Sequence, residues 1–262
     1  MSEKRVNLFG LRISDISMSE ALSLAERGLD LWEQSVFFTP NLEMLAAAKK
    51  NGFIRELLNG ASATLPDGAG LITVGALLGR PIKNTVAGID FGKNVLALAE
   101  ARAEGVFLLG GEVGVAERAA MNIKKEHPRI NICGVHHGFF DKREGSKVAR
   151  RISSSGAKIL IVCMGFPRQE RFVFEHKKAL SGVKLFLCLG GALDVWSGDV
   201  CRAPKTVRQA HLEWLWRIMN QPKRVGRFIS SVPVLFDAFS VFINNFGMNG
   251  EKEAYNQTKP DI

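Results

Sequence analysis

The chain has 262 residues, 46% hydrophobic and 23% charged, which suits one large α/β domain, or one domain plus an appendage, around a sizeable core. Its formal net charge of +9 favours an anionic partner such as nucleic acid, acidic lipid headgroups or a phosphorylated substrate. Cys133, Cys163, Cys188 and Cys201 form no CxxC pair, "MSEKRVNLFG" has no signal-peptide core, and no uninterrupted apolar run reaches the roughly 18 residues of a membrane span; the expected setting is reducing and cytoplasmic.

In chain order, "SVFFTPN" reads as a strand leaving into a loop, and "LEMLAAAKKNGFIRELLNG" as one helix ended by Gly60. "ELLNGASAT" is a helix end running into a short strand, which empties into the turn "LPDGAG" at 65–70. "GIDFGKNVLALAEARAEG" is a helix before the strand "VFLLGG"; "GVAERAAMNIKKEHP" is a helix before the strand "INICGVHHG". "SKVARRISSSG" precedes the buried strand "AKILIVCMG", and "QERFVFEHKKALSG" precedes the buried strand "VKLFLCLGG". Strands separated by helices of this length predict a mostly parallel sheet with helices on both faces, Rossmann-like. Near residue 195 the pattern turns helical and basic. The expected organisation is an α/β core over 1–198, a basic, apolar helical appendage over 199–248 and an unstructured polar tail over 249–262.

Several turns carry candidate chemistry. In open α/β sheets ligands bind beyond the carboxyl ends of the strands, where helix N-termini offer free N–H groups to phosphate. Gly110, Gly111 and Gly114 there would let backbone approach a diphosphate, or serve only as tight βα turns. Thr39 or Asn41 in "TPN" could simply cap the helix that starts at Leu42. Asp67 has a similar setting one unit later, and the two would share an edge if their strands are neighbours. In "GFPRQE", Glu170 suits a helix start by the dipole argument, whereas Gln169 has no such reason. His136 and His137 are adjacent on a strand and so face opposite sides, which argues against a metal; no DxD motif exists for a chelated cation. The absence of GxGxxG with a spaced acidic residue disfavours a nicotinamide enzyme, and a single Tyr disfavours a base-stacking nucleic-acid module.

Taken in order, "TPN", "LPDGAG", "AGIDF", "FLLGG", "HHGFF", "MGFPRQE", "LGGALDVWSG", "RAP" and "LEWLWRIMNQPKRVGRF" resemble the WecG/TagA/CpsF family of bacterial glycosyltransferases over roughly residues 6–230. The resemblance implies an inverting transferase that needs neither metal nor cofactor. It would move a sugar from a UDP-sugar to an undecaprenyl-diphosphate-linked sugar at the inner face of the cell membrane. The sugar would be of the N-acetylmannosamine type, its uronic acid or glucose. It implies that Asp67 is the catalytic base, joined by Thr39 and by Asn41 of the first motif, and that Gln169 is the glutamine of a PxQE motif. Asp194 would contact nucleotide, and Arg217, Arg224 and Arg227 match the family's C-terminal arginines. Members often carry an arginine shortly before the Gly-x-Asp motif; here Thr85 or a neighbour stands in "NTVAGID", which bears on donor identity or on one diphosphate contact. The seven Lys and Arg between Cys201 and Ser231 face one acid, Glu213, with Trp214 and Trp216 among them. That composition suits a helix lying in an anionic membrane interface. The alternatives are a helical hairpin packed on the core and a dimer contact. "FISSVPVLFDAFSVFINNF" is interrupted by Pro233, Asp237 and Asn244, which argues against a span.

Overall fold

The structure, a computed structural model, describes residues 4–31, 33–209, 213–220 and 225–257, with the side chains of 209, 217, 227 and 246–257 outside the description. Arg224, and the side chains of Arg217 and Arg227, therefore lie outside the described residues.

The chain opens with an antiparallel hairpin, β1 (Arg5–Leu8) and β2 (Leu11–Ser14), turned by Phe9 and Gly10, both with positive φ. Two left-handed residues in succession match the right-handed twist of the strands they join. Helix α1 (Met18–Asp30) starts at a capping box in which Ser17 and Glu20 satisfy each other's backbone amides. Strand β3 (Ser35–Phe38) leads to α2 (Leu42–Lys50) and α3 (Gly52–Asn59). The single helix expected over 42–59 is thus two. Asn51 donates its backbone N–H to Ala47 and accepts from Ile54 N with its side chain, ending one helix and starting the next.

Then follow β4 (Ala63–Thr64), α4 (Ala69–Leu77), α5 (Gly88–Ala101), β5 (Gly105–Gly110), α6 (Val115–Glu126), β6 (Asn131–His136) and α7 (Gly145–Ser154). The core closes with β7 (Ile159–Cys163), α8 (Arg168–His176), β8 (Leu185–Cys188) and α9 (Ala192–Trp196). All pairings in the six-stranded main sheet are parallel, in the order β4-β3-β8-β7-β5-β6. The late strands β7 and β8 are inserted between two pairs formed earlier in the chain, β3/β4 and β5/β6.

The middle strands read as unbroken apolar runs because both faces of the sheet are covered. Alternate residues feed two cores. Phe107, Leu160, Val162 and Phe186 join a cluster with Leu45, Ile152 and Phe172, while Val106, Leu108, Ile161 and Leu187 join another with Phe91, Ala116 and Trp196.

Beyond α9 come α10 (Lys205–Gln209), α11 (Glu213–Asn220) and α12 (Val225–Gln257), so helix extends into the stretch beyond 248. Helix α12 lies on α2 and α4 and buries Ser231, Val234 and Ala238, and Lys49 pairs with Asp237. The C-terminal segment is therefore packed on the core through one face. Its other face is apolar too: Ile229, Phe236 and Ile243 are exposed at two-turn intervals, with Phe239 and Phe242 beside them. By length and composition Phe228–Asn245 passes as a membrane-crossing helix, against the expectation from its interruptions. Asp237, one of those interruptions, is neutralised by Lys49, and here the segment lies along the core.

Candidate active site

Because the main strands are all parallel, the turns that follow them line one edge of the sheet. Backbone and side-chain bonds tie these turns into a continuous row. Asp67 N donates to Pro40 O at 2.9 Å, locking the turn after β4 to the turn after β3. The Thr39 hydroxyl, almost fully buried, donates to Cys188 O at 3.2 Å and so reaches β8. Gly190 N, just past β8, donates to Gln169 Oε1 at 3.1 Å, which reaches the turn after β7. Gly111 N donates to Cys163 O at 3.1 Å, joining the ends of β7 and β5. Strands β3 and β4 are indeed neighbours, so Thr39 and Asp67 share an edge.

The glycines around Asp67 separate into two roles. Gly68 has φ +92, and an added Cβ would meet nothing within 4 Å: the turn needs the left-handed conformation, and the space beside the carboxylate is open. Gly70 instead lets α4 approach α2, since a Cβ there would stand 2.9 Å from Leu42. Asp67 itself is half-buried.

Other candidates have structural duties. Asn41 caps α2, its side-chain oxygen accepting from Met44 N at 3.1 Å. Gly110 packs so closely on Cys163 that a Cβ would overlap its carbonyl, and a Cβ on Gly111 would overlap Val115; both glycines are needed by the protein's own packing. Gln169 is 3% exposed and its amide is spent on protein partners: Oε1 on Gly190 and Nε2 on Glu170 at 2.8 Å. Asp194, half-buried in the first turn of α9, has its carbonyl held by Ser197 Oγ and Val200 N.

Three residues without an assigned role in the sequence stand at this edge. Asp90, in the first turn of α5, takes a bidentate pair from Arg202 at 2.5 and 2.7 Å, with Arg208 at 4.0 Å. That pairing lowers the Asp90 pKa and raises that of Arg202, to which Glu213 and Asp67 add smaller effects. The only signal for this pair was the presence of both residues in the quoted "AGIDF" and "RAP" stretches. Arg202 is thus also in electrostatic reach of Asp67. The third residue is Glu170, fully buried rather than spread on a helix end.

The histidine pair departs from expectation. The His136 and His137 rings lie 4.5 Å apart instead of on opposite faces, because β6 ends at His136 and alternation ends with it. No group of three or more His, Cys, Asp or Glu at metal-binding distance occurs among the described residues. Cys163 and Cys188 are buried, which pushes the Cys163 thiol up to about 12 and Cys188 well above its usual value.

Comparison with known proteins adds the following. The family profile described as "Glycosyl transferase WecG/TagA/CpsF family" matches residues 6–245. The chain is 33% identical over 203 residues, 77% of each chain, to an N-acetylglucosaminyldiphosphoundecaprenol N-acetyl-beta-D-mannosaminyltransferase of Bacillus spizizenii strain W23. It is 32% identical over 200 residues, 75% of each chain, to the protein of that name from Bacillus subtilis strain 168. With the one from Staphylococcus aureus strain MRSA252 it shares 32% over 196 residues, 75% of this chain and 76% of that protein.

Proposed function

The chain belongs to the glycosyl transferase WecG/TagA/CpsF family, and from that premise we propose that it transfers N-acetylmannosamine from its UDP donor to an undecaprenyl-diphosphate-linked N-acetylglucosamine. The observation that carries the reading is Asp67: a carboxylate on a slim turn, tied to the Thr39 turn, with open space at Gly68 and the Arg202 cation nearby. Donor and acceptor classes are taken from the names of the relatives.

Asp67 acts as general base. It takes the proton of the acceptor hydroxyl while that oxygen forms a bond to the anomeric carbon, and the bond from that carbon to the β-phosphate oxygen breaks. The electron pair leaves with UDP. Attack opposite the leaving group inverts the anomeric carbon, which fits the β linkage in the relatives' name if the donor is α-linked. UDP leaves with more negative charge than it carried, and fixed positive groups stabilise it. Arg202, oriented by Asp90, is one such group, and Arg217, Arg224 and Arg227 follow in the sequence. Cations of this kind remove the need for a metal. Cytoplasmic UDP-sugar and a lipid-linked acceptor meet at the inner membrane face, where the exposed apolar stripe of α12 docks.

The test is a panel of UDP-sugars with a short-chain lipid-diphosphate acceptor, read by mass spectrometry with and without excess EDTA. The expected product gains one N-acetylhexosamine from UDP-N-acetylmannosamine, and EDTA leaves the rate unchanged. Transfer only from another UDP-sugar would replace the donor assignment. Loss of activity in EDTA, restored by Mg²⁺ or Mn²⁺, would overturn the metal-free reading.

A further inference from the structure

Glu170 lies in the first turn of α8 and is 0% exposed, a rare placement for a carboxyl group. Oε1 accepts from Gln169 Nε2 at 2.8 Å, whereas Oε2 is buried with no hydrogen-bond partner among the described residues. Among the described residues no cation forms an ion pair with it. The titratable groups that face it are Glu43 from α2 and the Cys188 thiol from β8, neither of which favours a negative charge. Next to it, Gln169 spends its Oε1 on Gly190 N, in the turn that leads from β8 into α9 and Asp194.

We propose that Glu170 is kept as an uncharged carboxylic acid and is a positioning residue, clamping the Gln169 amide and through it the Gly190 turn that presents Asp194. An unpartnered O–H in this place costs less than an unpartnered carboxylate, so the neutral form is the one the packing accepts. Burial pushes the Glu170 pKa up to about 7 with Glu43 adding to the rise; the hydrogen bonds from Gln169 and from Glu170's own backbone amide oppose it without offsetting it. When the proton is lost, the buried charge is relieved only by drawing in water or by moving away from Glu43. Either response disturbs the Gln169–Gly190 link.

The sign follows directly. A folded-state pKa above the ordinary glutamate value means that the folded protein holds the proton more tightly. Stability from this group is complete below about pH 4.5 and is lost as pH rises towards about 7.

The positioning role in transfer rests on the glycosyltransfer reading above; the clamp itself does not. The experiment uses full-length wild type, Glu170→Gln and Glu170→Ala. Glutamine keeps an acceptor for Gln169 and cannot ionise. Three quantities are followed from pH 5.5 to 8.5: the melting temperature, deuterium uptake of the peptide containing Gly190, and the rate of sugar transfer. The wild type should lose melting temperature relative to Glu170→Gln as pH rises to about 7. Above that pH its Gly190 peptide should take up deuterium faster than intrinsic exchange chemistry requires. Its transfer rate should fall towards tenfold per pH unit, while Glu170→Gln shows no uptake beyond the intrinsic rise and keeps most of the rate seen at pH 6.5. Glu170→Ala should be slow at every pH. Superimposable pH profiles for wild type and Glu170→Gln in exchange and melting would overturn the proposal. If the wild type transfers no sugar at all, the reaction assignment fails, and the exchange and melting profiles still decide the clamp.

Discussion

At the scale of single residues, the candidate site residues divide by what the fold already asks of them. Asn41, Gly110, Gly111 and Gln169 are all committed to the protein's own packing and hydrogen bonds. Asp67 has open space beside its turn, which is why the base role is proposed for it. Asp67→Asn keeps shape and loses basicity, so transfer should drop by about 10²- to 10⁴-fold while UDP affinity changes little. Turnover assays beside calorimetric UDP titration check both halves, and a variant with wild-type rate would remove Asp67 from the mechanism. Sequence reasoning singled out Asp67 through its strand-end turn "LPDGAG" and the family resemblance, and Gln169 because a polar side chain there had no local reason. It could not reach the pairing of Asp90 with Arg202, because residues far apart in sequence meet only after β8 has joined the sheet. Nor could it reach the burial of Glu170: an acid at a helix start looks solvated in any sequence, and only the α2 and β8 neighbours enclose it.

At the scale of elements, the βαβ rhythm from residue 35 to 191 was legible since buried parallel strands leave continuous apolar runs. The hairpin β1–β2 and α1 were passed over, although the alternation in "RVNLFGLRIS" and the Ser-x-x-Glu box at Ser17 stand in the open. The α2–α3 break was missed because the apolar period continues through Asn51 while the backbone does not. Helix α12 has two apolar faces, one packed and one exposed. Its inner face is part of the core, so removing the helix would uncover the core-facing sides of α2 and α4 and confuse binding with unfolding. Point variants separate the two. Ile229→Ser with Phe236→Ser and Ile243→Ser changes only exposed positions, so the melting temperature should hold while co-sedimentation with anionic vesicles falls. Cations in the appendage contribute about 1 kcal/mol each near such a surface, so wild-type binding should weaken at high salt. Val234→Ala, by contrast, should cost about 2 kcal/mol of stability and leave vesicle binding intact. Vesicle binding that survives the triple change would assign the stripe to another partner, such as a second copy of the chain.

At the scale of the whole molecule, the candidate site draws on the ends of strands from both halves of the chain. Thr39 and Asp67 come from the first pair of strands and Gln169 and Asp194 from the last. The sheet order has a consequence for synthesis. A chain emerging from the ribosome delivers β3/β4 and then β5/β6, two ribbons that do not touch each other in the finished sheet. Each has an inner edge of unpaired N–H and C=O groups until β7 and β8 arrive to fill the gap. Such edges template pairing with other chains, so the interval between the translation of residue 136 and that of residue 188 is when a nascent chain is most exposed to aggregation. A chain released at Ser154 should be digested by a pulse of protease as fast as an unfolded polypeptide. Adding a separate fragment that begins at Ala157 should restore protection, because the missing centre of the sheet is a contiguous insert that a second polypeptide can supply.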